Sequence, residues 1–148
     1  MCVIIDASVA GLVFSSPHHP NFKPLWNWLE NKDGRIVYGG YLVKELELVA
    51  RRMLARLKQS GLALECPAKK VEQEETAVRK LKKCRSNDLH VVALARASGA
   101  RVLCTNDHKL EADFKDLEIV PHPKGQIYKN PKHARMLKHN NICIGRKK

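Results

Sequence analysis

Short apolar runs alternate with helical-period stripes along most of the chain. Residues 2–6 read as a short buried strand and residues 7–14 as a brief helix, followed by a Ser/Pro/His loop over 15–20. Phe22, Leu25, Trp26 and Leu29 recur at helical spacing, which marks these aromatics as core rather than as a ligand box. Gly34 precedes a second strand at 35–38, and Gly39-Gly40 opens what the pattern predicts to be one long helix. Its stripe is Leu42, Leu46, Val49, Met53 and Leu57, and it stops before Ser60-Gly61. Residues 62–64 predict a third strand. Residues 70–82 predict a charged helix with Val71, Val78 and Leu81 as its apolar stripe and a Glu75–Arg79 pair on its solvated side. An apolar helix over 87–98, closed by Gly99, precedes a strand at 101–105, a short helix at 107–114 and a last strand at 117–120. There is no internal repeat and no low-complexity linker. Strands alternating with helices predict an α/β fold whose mostly parallel sheet is covered on both faces.

Four carboxylates fall at one edge of that sheet. Asp6 ends the run Val3-Ile4-Ile5, and Asp107 follows the strand at 101–105. Glu45 and Asp88 lie in the first turns of two helices. Helix N-termini share an edge with strand C-termini in such a fold, and open α/β proteins bind ligands at that carboxyl edge. Each acid also has a structural reading. Asp6 and Asn106-Asp107 suit turns, and Asp88, after Ser86-Asn87, suits the helix macrodipole. Against this, Asp88 shares a face with Val91, Val92 and Ala95, and Glu45 shares one with Leu42 and Val49. Glu47 faces Lys44 and Arg51 and reads as a surface ion-pair residue. A carboxylate aimed at the core side is costly unless paired or metal-bound, so Glu45 rather than Glu47 is the candidate. Carboxylates without a nitrogen-rich set suit Mg²⁺ or Mn²⁺, which keeps crowded anions ionised and activates water toward a phosphate.

Charge and composition extend this picture. The 148 residues suit one domain, and a hydrophobic fraction of 44% excludes wholesale disorder. The 27 Lys+Arg against 15 Asp+Glu give a net charge of +12, and residues 121–148 carry eight basic residues and no acid. That end reads either as a solubilising tail or as a phosphate-binding surface through Lys129, Lys132 and Arg135. Its 131–139 stretch predicts a helix, and His122, His133 and His139 read as surface groups rather than ligands. Five cysteines without a Cys-x-x-Cys pair read as free or buried thiols of a reducing compartment, not as a zinc site. With no signal-peptide pattern and no membrane-length apolar run, the expected location is cytoplasmic, with no membrane association.

The segments Val-Ile-Ile-Asp6-Ala-Ser8, the helix start at Glu45-Leu, Ser86-Asn87-Asp88 with Leu-His-Val-Val-Ala-Leu-Ala, and Val-Leu-Cys-Thr105-Asn-Asp107 together resemble the PIN-domain nucleases. The resemblance spans about residues 2–120 and rests on the order and spacing of the acids. It implies a three-layer α/β/α sandwich over residues 1–120, with residues 121–148 as a basic C-terminal extension packed on or trailing that domain. It further implies a Mg²⁺- or Mn²⁺-dependent endoribonuclease hydrolysing RNA phosphodiesters. Asp6, Asp88 and Asp107 would be the metal ligands, and Glu45 would position or deprotonate the attacking water. Ser8 and Thr105 would be small polar residues near the site. Asp113 is a reserve acid, its other reading being a surface residue of a short helix. Many bacterial members of the family are toxins, so a cognate antitoxin and a homodimer are expected partners beside RNA.

Two alternatives stay open, a catalytically silent RNA-binding module and a structure-specific DNase. A pure binder gains nothing from acids facing phosphate. A phosphatase or phospho-receiver is disfavoured because Asp6-Ala7-Ser8 lacks an Asp-x-Asp and no lysine directly follows a late strand.

Overall fold

A computed structural model describes residues 1–138. Five strands form one parallel sheet: β1 (Cys2–Ile5), β2 (Arg35–Tyr38), β3 (Ala63–Glu65), β4 (Val102–Cys104) and β5 (Gln126–Ile127), in the order β3-β2-β1-β4-β5. Among the described residues seven α-helices connect and flank it: α1 (Ala7–Val13), α2 (Lys23–Glu30), α3 (Tyr41–Glu45), α4 (Leu48–Gln59), α5 (Ala68–Leu81), α6 (Leu89–Ser98) and α7 (His108–Lys115). The protein is thus an α/β fold of the three-layer α/β/α type, as the alternation of strands and helices predicts. The residues of β1 and β4 are all buried, which is why both read as unbroken apolar runs.

The strand order reverses direction between β1 and β4. Ile5 pairs with Cys104 there, and the Asp6 amide donates to the Cys104 carbonyl at 2.9 Å. A reversal of this kind leaves a crevice at the carboxyl ends of the two strands, where no crossover connection covers the sheet.

Two predicted elements are corrected. The long helix after Gly40 is broken in two: Leu46 and Glu47 are extended, at ψ 143° and 160°. Arg51 holds the break, its guanidinium donating to the Leu46 carbonyl at 2.9 Å and the Lys44 carbonyl at 2.8 Å. The break resets the helical phase, so Val49 is 65% exposed rather than on the buried stripe. The predicted strand at 117–120 is instead a turn. The amides of Ile119 and Val120 both donate to the Asp116 carbonyl, and Arg96 and Arg101 take the carbonyls of Ile119 and Pro121. With those backbone groups engaged, no ladder forms, although Ile119 and Val120 are buried as their apolar character predicts.

The sheet's last strand is β5, in the segment expected to be an extension. It pairs with β4 through Val102–Gln126 and Leu103–Ile127, and it is followed by the buried Tyr128, whose hydroxyl donates to the Asn21 carbonyl at 2.8 Å. Residues Pro131–Lys138 form a 3₁₀ helix, and its Leu137 is buried. His139 and the basic residues Arg146, Lys147 and Lys148 lie outside the described residues. Cys66, Cys84 and Cys104 are free thiols, whereas Cys2 is disulfide-bonded, contrary to the expectation of uniformly free cysteines. No described helix is long and apolar enough to cross a membrane.

The turn that launches α3 depends on glycine. Gly40 has φ 60° and ψ −142°, a region other residues avoid, and a side chain there would also press on Val71 Cγ1 at 3.2 Å. Gly40→Ala is expected to lower stability by roughly 1–3 kcal/mol, read from the urea midpoint; an unchanged midpoint would show that the turn relaxes without strain.

Candidate metal centre

The first residue after β1 is the best-buried acid of the crevice. Asp6 is 3% exposed, and its Oδ2 accepts from Ser8 Oγ at 2.7 Å and from Thr105 Oγ1 at 2.8 Å. Those hydroxyls lie 3.3 Å apart, and the Ser8 oxygen also accepts from the Asn106 amide at 3.0 Å. Ser8 belongs to α1 and Thr105 follows β4, so one carboxylate oxygen ties together the two strand ends that bound the crevice. No hydrogen bond among the described residues engages Asp6 Oδ1, which leaves it free to meet a cation.

Asp107 is anchored differently. It is the N-cap of α7, where its Oδ1 accepts from the amides of Lys109 and Leu110 at 2.9 and 3.3 Å, and its own amide donates to Thr105 Oγ1 at 3.1 Å. Thr105 therefore contacts both strand-end acids. Asp107 Oδ2 carries no such bond among the described residues.

Asp88 precedes α6 rather than lying within its first turn. It is the N-cap residue, at φ −94° and ψ 54°, and its side chain caps nothing. Its amide donates to the hydroxyl of the buried Ser86 at 2.8 Å. The loop is fixed in turn by Asp113, whose carboxylate accepts from the Arg85 amide at 2.9 and 3.1 Å and from the Ser86 amide at 2.9 Å. Asp113 is 2% exposed. It is neither a surface residue nor a crevice acid. It is a buried anchor that positions the Asp88 loop from α7.

Glu45 ends α3, and its side chain, 40% exposed, reaches over α6. The basis for choosing it over Glu47 changes, since Val49 no longer shares its face. The residue itself is still the one that meets the crevice: Glu45 Oε1 lies 3.2 Å from His90 Nε2. Glu47 caps the exposed start of α4 and makes no ion pair with Lys44 or Arg51 among the described residues; Arg51 bonds to backbone carbonyls instead.

Electrostatics show that the four acids form one group. The Asp88 carboxyl is pushed above the usual aspartate range first by burial, then by the negative charge of Asp6, with further increments from Glu45 and Asp107; His90 pulls it back down. Glu45, Asp88 and His90 place one ligand atom each within 4.8 Å of one another.

His90 is the residue that sequence reasoning missed. It is 8% exposed, and its Nε2, despite its closeness to Glu45, makes no hydrogen bond. An unsatisfied buried polar atom typically costs about 1–3 kcal/mol, so one preserved beside two carboxylates marks a place for a ligand. Residues two apart do not share a helix face, which hides the pairing of His90 with Asp88. The rule fails here because Asp88 sits before the helix. The available signal was a single histidine in the otherwise apolar run from Leu89 to Ala95.

The residues proposed to hold nucleic acid lie on the segment after β5. Lys129 is ion-paired with Glu111, and its amide donates to His133 Nδ1 at 3.0 Å. Lys132 and Arg135 are exposed on the 3₁₀ helix. A groove of about 580 Å³ is lined by Glu45, alone of the four acids, and by Ala7, Ser8, Gly11, Phe14 and Met53 among others.

No protein-family model, curated protein or solved structure matches this chain.

The raised pKa of Asp88 has a thermodynamic sign. Between the ordinary aspartate value and the raised one, the folded protein binds more protons than the unfolded chain, so stability falls as pH rises through that window. Ionised Asp88 is thus a destabilising charge in the metal-free protein at neutral pH. Asp88→Asn is expected to raise the metal-free melting temperature at pH 7 and to leave it nearly unchanged at pH 3, where both forms are uncharged. A lower melting temperature for the variant at pH 7 would contradict the sign.

Proposed function

We propose that the protein is a divalent-metal-dependent endoribonuclease that hydrolyses RNA phosphodiester bonds. The observation carrying this reading is the convergence of Asp6, Glu45, Asp88 and Asp107 at the β1–β4 reversal, with Asp88 responding to the charge of the other three. Asp6, Asp88 and Asp107 would hold the cation, Mg²⁺ or Mn²⁺. The donor set fits: Asp6 and Asp107 each keep one carboxylate oxygen free of hydrogen bonds, and a dication would offset the repulsion that raises Asp88. When bound, such an ion supplies a lowered pKa for water and charge neutralisation at the phosphate.

The chain's own residues do the rest. Ser8 and Thr105 orient the Asp6 carboxylate, and Ser86, held by Asp113, positions Asp88. Glu45 is more exposed than the others and ends α3 at the mouth of the groove, where it can orient a water or take its proton. The groove gives a substrate room beside Glu45. The positive charge of Lys132, Arg135 and the basic end provides a sequence-independent attraction for the RNA backbone.

A role as the toxin of a toxin–antitoxin pair, with a cognate antitoxin and a homodimeric state, is part of the proposal and rests on the resemblance to PIN-domain nucleases alone. A cytoplasmic location rests on the free thiols of Cys66, Cys84 and Cys104, while the disulfide at Cys2 weighs against it.

The decisive experiment incubates the protein with single-stranded and structured RNA in Mn²⁺, Mg²⁺ or EDTA, beside Asp6→Asn and Asp107→Asn. Cleavage is expected to require the cation. Each variant is expected to lose more than the roughly 10–100-fold that removal of an outer partner costs a metal site. Equal cleavage by wild type and both variants would refute the reading. Charge reversal at Lys132 and Arg135 is expected to weaken RNA binding and flatten its dependence on salt, measured by filter binding from low to physiological ionic strength. Unchanged affinity and slope would remove the 3₁₀ helix from the RNA surface.

A further inference from the structure

Three groups of this molecule carry chemistry near the crevice without a structural duty: Glu45 at the end of α3, Asp88 before α6, and His90 within α6. Their ligand atoms lie within 4.8 Å of one another. The acids alone would be an ordinary anionic cluster. His90 changes the argument. The imidazole is more than nine-tenths buried, Nε2 lies 3.2 Å from Glu45 Oε1 outside hydrogen-bonding geometry, and no hydrogen bond satisfies it. Imidazole nitrogen is a common metal donor, and this one is buried beside two carboxylates with no hydrogen-bond partner.

We infer that Glu45, Asp88 and His90 form a nitrogen-bearing metal seat that selects a first-row transition dication, in the range Mn²⁺ to Zn²⁺, over Mg²⁺. The inference rests on the metal-dependent reading above and sharpens it, because the expected ligand set of Asp6, Asp88 and Asp107 is all oxygen and shows no such preference. Imidazole nitrogen is a poor partner for hard Mg²⁺, which keeps its waters and favours carboxylates, but a good one for borderline transition ions. Asp88 belongs to both sets. Glu45 becomes a ligand rather than only a base.

The geometry also explains the placement of the two flanking ligands. The Asp88 backbone is anchored through Ser86 and Asp113, and His90 is buried in α6. Glu45 ends a five-residue helix and is partly exposed, so it is the donor that can close over an arriving ion.

The test uses the whole chain and the metals alone. Mn²⁺ and Mg²⁺ are titrated calorimetrically into wild type, His90→Gln and Glu45→Gln, and Mn²⁺-loaded samples are examined by pulsed electron paramagnetic resonance for ¹⁴N coupling. Circular dichroism establishes that the variants are folded. Because Glu45 is partly exposed, its variant tests the seat even if His90→Gln fails to fold. The wild type is expected to bind Mn²⁺ more tightly than Mg²⁺ and to show imidazole ¹⁴N coupling. His90→Gln should abolish the coupling and weaken Mn²⁺ roughly tenfold or more while changing Mg²⁺ little, and Glu45→Gln should weaken Mn²⁺ likewise. Absence of ¹⁴N coupling in wild type, or an unchanged Mn²⁺-to-Mg²⁺ preference in both variants, overturns the seat. RNA cleavage in Mg²⁺ accompanied by that result leaves the nuclease reading standing without it. Coupling and preference without cleavage in any metal support the seat and count against the nuclease reading.

Discussion

The Asp6 carboxylate between the hydroxyls of Ser8 and Thr105 is the contact on which the crevice depends. It closes the gap where β1 and β4 part company, and it does so with an anion buried to 3% exposure. A buried anion of this kind is tolerable only when hydrogen bonds replace water, and here two hydroxyls meet on one oxygen. The same Thr105 hydroxyl accepts from the Asp107 amide. Two acids from distant parts of the chain are therefore registered against each other by a single threonine side chain.

Around that contact the protein retains unfavourable charge. The Asp88 pKa is raised by burial and by its acidic neighbours, yet the surrounding structure anchors its backbone beside them through Ser86 and Asp113. Arrangements that raise free energy and are nevertheless braced on several sides characterise binding and catalytic sites. Stability is conceded at one edge of the sheet while the remaining strands and helices supply an ordinary core.

Much of the fold could be read from the chain because its signals are local. Uninterrupted runs such as Val3-Ile4-Ile5 announce strands buried on both faces, and Gly99 announces the end of α6. The failures occur where side chains from elsewhere take over the backbone. Arg51 holds open a break that the leucine stripe cannot reveal, and Arg96 with Arg101 turn an apolar stretch at 117–120 into a turn. The acids were legible because topology alone brings strand ends and helix starts to one edge. Asp113 and His90 were not, since the first is a ligand of backbone amides more than twenty residues away and the second pairs across a helix boundary. Glu45 was chosen for a helical face that the structure does not contain, and it reaches the crevice for a different reason, the short helix α3.

The two-residue strand β5 has a consequence for solubility. An exposed parallel strand with Val102 and Leu103 at a sheet margin would offer unpaired amides and carbonyls to any extended chain that approached. β5 covers that margin but is itself too short to serve as a template, and the chain after it turns inward at once through Tyr128. Among the described residues beyond it, Lys132 and Arg135 are basic and exposed. β5, which the sequence reads as part of a C-terminal extension, is therefore the guard that keeps one copy of the sheet from growing onto the next.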